Sequence, residues 1–68
     1  MKEYIKERIR MIEEELGTIR ASIIELRTEN YGNIPSTDLI NKVDLIYKEI
    51  YAKQSILDEL REVLDEAN

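Results

Sequence analysis

The stretch Asn30-Tyr31-Gly32-Asn33-Ile34-Pro35-Ser36-Thr37 decides the fold of this chain. Gly32 and the asparagines beside it can take the left-handed backbone conformation that closes a helix, and Pro35 blocks continuation because it has no backbone N–H to donate. Ser36 or Thr37 then offers a hydroxyl to cap a new helix, and Asp38 complements the positive end of that helix's dipole. One helix is predicted to end here and another to begin, with the chain reversing between them.

Upstream of the turn, Ile5, Ile9, Ile12, Leu16, Ile19, Ile23 and Leu26 recur at alternating spacings of four and three, the heptad signature of a helix with one apolar seam. A strand would need apolar residues at every second position, which this segment lacks. Lys6, Arg8, Glu13, Glu15, Arg20, Ser22 and Arg27 flank the seam, so the stripe is narrow, as in a coiled coil. Downstream, Leu39, Val43, Ile46, Ile50, Leu57, Leu60, Leu64 and Ala67 carry the same repeat, with Lys53 the one polar residue in it. The expectation is a single all-α domain over residues 1–68, an antiparallel two-helix hairpin. Helix one is placed at about 2–29, the turn at 30–36 and helix two at about 37–66, each helix roughly 42–45 Å long.

Folding level about the turn pairs Leu26 with Leu39, Ile23 with Val43, Ile19 with Ile46, Leu16 with Ile50, Ile9 with Leu57 and Ile5 with Leu60. The same fold carries the acidic run from Asp58 to Glu66 towards Lys2, Lys6, Arg8 and Arg10, where opposite charges would meet. Lys53 and Gln54, facing Ile12, would form a polar notch in the seam, which either fixes register or oligomer state or is a lysine extending its ammonium outward to water.

A core of this size supplies no more than about 3–5 kcal/mol, so small chains recruit disulfides, a metal or a partner subunit. Cysteine and histidine are both absent, which removes disulfides and the Cys/His zinc motifs. A second copy is then the expected source of stability. Helix two carries apolar residues beyond its seam, Ile40 and Tyr47 on one flank and Ile56 and Val63 on the other, with Leu45 and Tyr51 further round; helix one adds Tyr4, Met11 and Ile24. The prediction is a dimer of hairpins forming a four-helix bundle, with Ile40, Tyr47, Ile56 and Val63 as self-association residues. Tyr4, Met11, Tyr31 and Tyr51 are the candidates for contact with a different protein, since aromatics anchor interfaces disproportionately. Gly17, inside helix one, would mark either a close helix crossing or a tolerated surface position.

Composition excludes several classes. With no apolar run near 18 residues a membrane span is not expected, and the charged start shows no secretory leader, so a cytoplasmic location is expected. The formal net charge of −5 disfavours nucleic acid and favours a protein partner with a basic surface. Catalysis needs an activated nucleophile, a tuned acid or base, or a metal in an enclosed site. The hydroxyl residues here have no histidine to activate them, and the Glu and Asp runs lack the histidines of di-metal helix motifs. No enzyme activity, cofactor or metal is expected. The reading is a small interaction module acting as regulator, inhibitor or scaffold.

Early in helix two, after the glycine-containing turn, stands Ile40-Asn41-Lys42-Val43-Asp44. In placement it is similar to the Ser-Gln-Glu-Leu-Asp signature of the sporulation-regulating aspartyl-phosphate phosphatases of spore-forming bacteria, which are short two-helix hairpins. It keeps the final aspartate, has valine in place of leucine and lacks the serine. The alternative that this resemblance implies is a phosphatase-type regulator of a response regulator, with Asp44 as its site residue. Read from the residues alone, Asp44 points away from the seam and pairs with Lys48 one turn on.

Overall fold

A computed structural model describes residues 2–67 as two helices, α1 (Lys2–Glu29) and α2 (Thr37–Ala67), packed against each other as a hairpin. The molecule measures 50 × 15 × 12 Å, the proportions of two helices lying side by side. α1 has the predicted bounds, and α2 runs one residue further than expected.

Local chemistry accounts for both ends of the turn. Gly32 has φ of 82°, the positive value that the third position of a type II turn requires, and the Asn33 amide donates to the Asn30 carbonyl at 3.0 Å to close that turn. The last turn of α1 is sealed twice over at the Leu26 carbonyl, by the Asn30 amide at 3.1 Å and by the Asn30 side-chain Nδ2 at 2.8 Å. Of the two hydroxyls offered to α2, Ser36 is the cap: its Oγ accepts from the Leu39 amide at 3.1 Å while its carbonyl accepts from Ile40.

Three polar contacts show that the helices run antiparallel. Glu13 is bridged by Arg61 at 3.9 Å, Arg20 donates to the Gln54 side-chain carbonyl at 3.3 Å, and Arg27 donates to the Tyr47 hydroxyl. Each step forward of one heptad on α1 is matched by a step back of one heptad on α2. Leu16 accordingly shares a groove with Gln54 and Leu57, and Ile23 shares one with Tyr47 and Ile50. Near the turn Leu26 shares a groove with Leu39 and Val43, as paired, whereas further along Leu16 and Ile23 also reach α2 residues half a heptad or more beyond the level partners Ile50 and Val43. Side chains lean toward the N-terminus of their own helix, so on antiparallel helices the tips pass one another before they touch.

The buried core is the seam, and chiefly its middle and open end. Ile5, Ile9, Ile12, Leu16, Ile23, Ile50 and Leu57 are buried, with Leu16 and Leu57 at 2% exposure. Ile19, Ile46, Leu60 and Leu64 pack on them half-covered. Near the turn Leu26, Leu39 and Val43 are only half-buried, and Ala67 at the far end is exposed. Two helices can enclose a stripe one residue wide, and residues beyond it keep one side in water.

Candidate functional site

The hairpin has two broad faces, one on each side of the seam. The first is marked by the arginine contacts: Glu13, Gly17, Arg20, Ile24 and Arg27 on α1 stand beside Tyr47, Tyr51, Gln54 and Arg61 on α2. Toward the turn this face holds an open groove of about 250 Å³ bordered by Ile24, Tyr47, Tyr51, Arg20 and Arg27. The rings of Tyr47 and Tyr51 stack with centroids 6.4 Å apart and planes inclined by 28°. Gln54, which accepts from Arg20, donates in turn to Asp58 at 3.0 Å. Heptad spacing carries Ile40, Asp44 and Asp65 onto the same face, since they fall in the columns of Tyr47, Tyr51 and Asp58.

The second face is marked by Lys53, whose ammonium donates to Glu15 at 2.9 Å. Lys53 thus lays its carbon chain along the seam and carries its charge to the edge, as expected of a lysine at an apolar position. Its hydrogen bond and its charge, together with the nearby Arg8, hold the Glu15 carboxyl below the usual carboxylate range. Tyr4 and Met11 on α1, and Leu45, Ile56 and Val63 on α2, belong to this side by heptad position and are exposed. Glu15, Glu25, Glu29, Glu49, Glu59 and Glu66 lie among them in the same columns against Arg8 and Lys42, so this face is acidic in balance on both helices.

The expected meeting of α1 bases with the acidic end of α2 is not what forms. Arg10 is held within α1 between Glu7 and Glu14, and Lys6 pairs with Glu3 at 3.7 Å. The Glu7 hydrogen bond raises the Arg10 pKa further, and the same contact lowers that of Glu7. At that end of the hairpin the cross-helix bridge has the opposite polarity, Arg61 of α2 reaching Glu13 of α1. Partners three and four residues apart on one helix are already within reach, whereas a pair across the seam must extend both side chains over it.

Of the predicted self-association residues, Ile40, Ile56 and Val63 stand exposed, at 56%, 44% and 48%. Tyr47 is half-buried, packed on the core and holding Arg27 through its hydroxyl, so most of its surface is committed within the hairpin. The predicted partner-binding residues Tyr4, Met11, Tyr31 and Tyr51 are all exposed, but they do not form one site. Tyr4 and Met11 lie on the acidic face, Tyr51 on the arginine-marked face, and Tyr31 at the tip of the turn. Ile34 stands almost fully in water at that tip, an apolar position that the heptad reading passed over because it lies outside both seams. Its signal was an isoleucine between Asn33 and Pro35, where turns ordinarily carry polar residues.

Gly17 marks no close crossing within the hairpin, for a Cβ built there meets nothing within 4 Å. Asp44 is paired with Lys48 at 3.1 Å, one turn along α2, as read from the residues. Among the described residues no helix is long and apolar enough to cross a membrane. Compared with models of protein families, with curated proteins and with solved structures, the chain matches none of them.

Proposed function

We propose that this chain is a non-enzymatic protein–protein interaction module that self-associates as hairpins and acts on a partner with a basic surface as regulator, inhibitor or scaffold. The observation that carries the reading is the second face, where Tyr4, Met11, Ile56 and Val63 stand exposed among acidic side chains. Apolar side chains supply contact area at an interface, and the surrounding carboxylates steer and orient a cationic partner. An amphipathic helix with a basic polar side meets both demands.

The test is titration of the protein with a synthetic amphipathic helix rich in lysine and arginine, followed by calorimetry at low and high salt. Binding that weakens with salt and is lost in Met11→Glu and Val63→Glu supports the reading. An absence of binding at low salt, or equal binding by both variants, overturns it.

A further inference from the structure

The two faces differ in charge in a way that assigns them different occupants. On the arginine-marked face α1 presents Lys6, Arg10, Arg20 and Arg27 with Glu3 and Glu13, whereas α2 presents Asp44, Asp58 and Asp65 with Arg61. α1 is basic there, α2 is acidic, and the face as a whole is balanced. The opposite face is acidic on both helices and would repel its own copy. Resting on the self-association reading above, we infer that the arginine-marked face is where a second copy docks, with α1 of each hairpin lying over α2 of the other and both turns at the same end.

Symmetry and register support this arrangement. A two-fold axis running along the hairpin puts α1, which is net basic on this face, over the partner's α2, which is net acidic. A two-fold axis across the hairpin would instead stack α1 on α1 and α2 on α2, like charge on like. In the first case the outermost columns interdigitate. Glu3, Arg10, Gly17 and Ile24 recur by heptads on α1, and Asp44, Tyr51, Asp58 and Asp65 recur by heptads on α2. At the level set by the cross-helix contacts, Arg10 falls between Asp58 and Asp65 of the second copy, Arg27 falls opposite its Asp44, and its Tyr51 ring falls between Gly17 and Ile24. The absence of a side chain at Gly17, with open space above it, leaves room for that ring. The exposed apolar residues of this face, Ile24, Ile40 and Tyr51, all sit toward the turn, where same-end docking brings Ile24 of each copy to Tyr51 of the other.

The experiment combines light scattering on two variants with a distance measurement. Tyr51→Glu alters a residue 69% exposed in the single hairpin and Val63→Glu one 48% exposed, so neither removes a core contact. The chain has no cysteine, so Asn33→Cys gives a single labelling site at the turn. Twice the 8.0 kDa chain mass for the wild type, about tenfold or greater weakening by Tyr51→Glu, little change for Val63→Glu, and spin labels within about 20 Å are the expected results. A mass of one chain at every concentration overturns self-association itself. A dimer that Val63→Glu disrupts and Tyr51→Glu does not overturns the choice of face while leaving self-association standing. Labels separated by nearly the 50 Å length of the hairpin overturn the same-end docking.

Discussion

Leu16→Ala is the sharpest test of the single-seam core. Leu16 is 2% exposed and sits against Leu57, also at 2%, in the middle of the hairpin. Truncation to alanine removes three carbons, worth about 2.4 kcal/mol at ~0.8 kcal/mol each. The cavity adds less than it would in a deep core, because the site borders an open groove into which neighbours can relax. The expected loss is therefore about 2.5–3 kcal/mol, most of the ~3–5 kcal/mol that a core of this size supplies. Urea unfolding followed by helical circular dichroism, at one fixed protein concentration, measures it. The control is Val63→Ala, on the outer face and 48% exposed, with an expected change of about 0.5 kcal/mol or less. Because Leu16 and Leu57 share one groove, Leu16→Ala and Leu57→Ala together should cost less than their separate losses combined. A Leu16→Ala loss below about 1 kcal/mol, or one equal to the Val63→Ala control, would refute the burial reasoning.

The two glycines should respond to alanine with opposite sign in thermal melts. Gly17→Ala gains about 1 kcal/mol because helix propensity improves and the new Cβ meets nothing, whereas Gly32→Ala loses about 1 kcal/mol because its φ of 82° is strained for any side chain. Ser36→Ala removes the hydroxyl that holds the Leu39 amide and should cost about 1 kcal/mol in urea midpoints, while Thr37→Ala should cost less. Lys53 holds the folded pKa of Glu15 below its ordinary value, so its contribution to stability is present above that ordinary value and is lost as pH falls through the lowered one. Glu15→Gln should therefore flatten the acid side of a plot of stability against pH, and an unchanged acid limb would show that the bridge to Lys53 does not persist in solution.

The hairpin was legible in the sequence because its decisive signals are local or periodic. Gly32, Pro35 and the capping hydroxyls act within a few residues, and the two heptad series each repeat often enough to fix a face. The level at which the seams meet was legible only beside the turn, where Leu26 and Leu39 share a groove, because further along a heptad series opposes apolar residues equally well after sliding. What selects the observed level is the lean of side chains toward their own N-termini and the polar contacts from Arg20, Arg27 and Arg61. In the sequence Arg20 and Arg27 read only as residues flanking a stripe, and Arg61 lay inside the run from Asp58 to Glu66 taken as acidic. Exposure of Ile40, Ile56, Val63 and Tyr51 followed from their positions outside the seam, whereas the commitment of Tyr47 depended on a partner, Arg27, twenty residues away. The two faces were likewise hidden, since their charges interleave along the chain and separate only when columns from both helices are brought side by side.

Within a single hairpin, a core only one side chain deep leaves neither helix any cover except the other. If the middle of α1 lifts away, Ile50 and Leu57 lose their only lid, so α2 has nothing left to hold its shape. Amide protons at the centres of both helices should then exchange through one shared opening event with a common free energy, while those near the turn and the free ends exchange earlier by fraying.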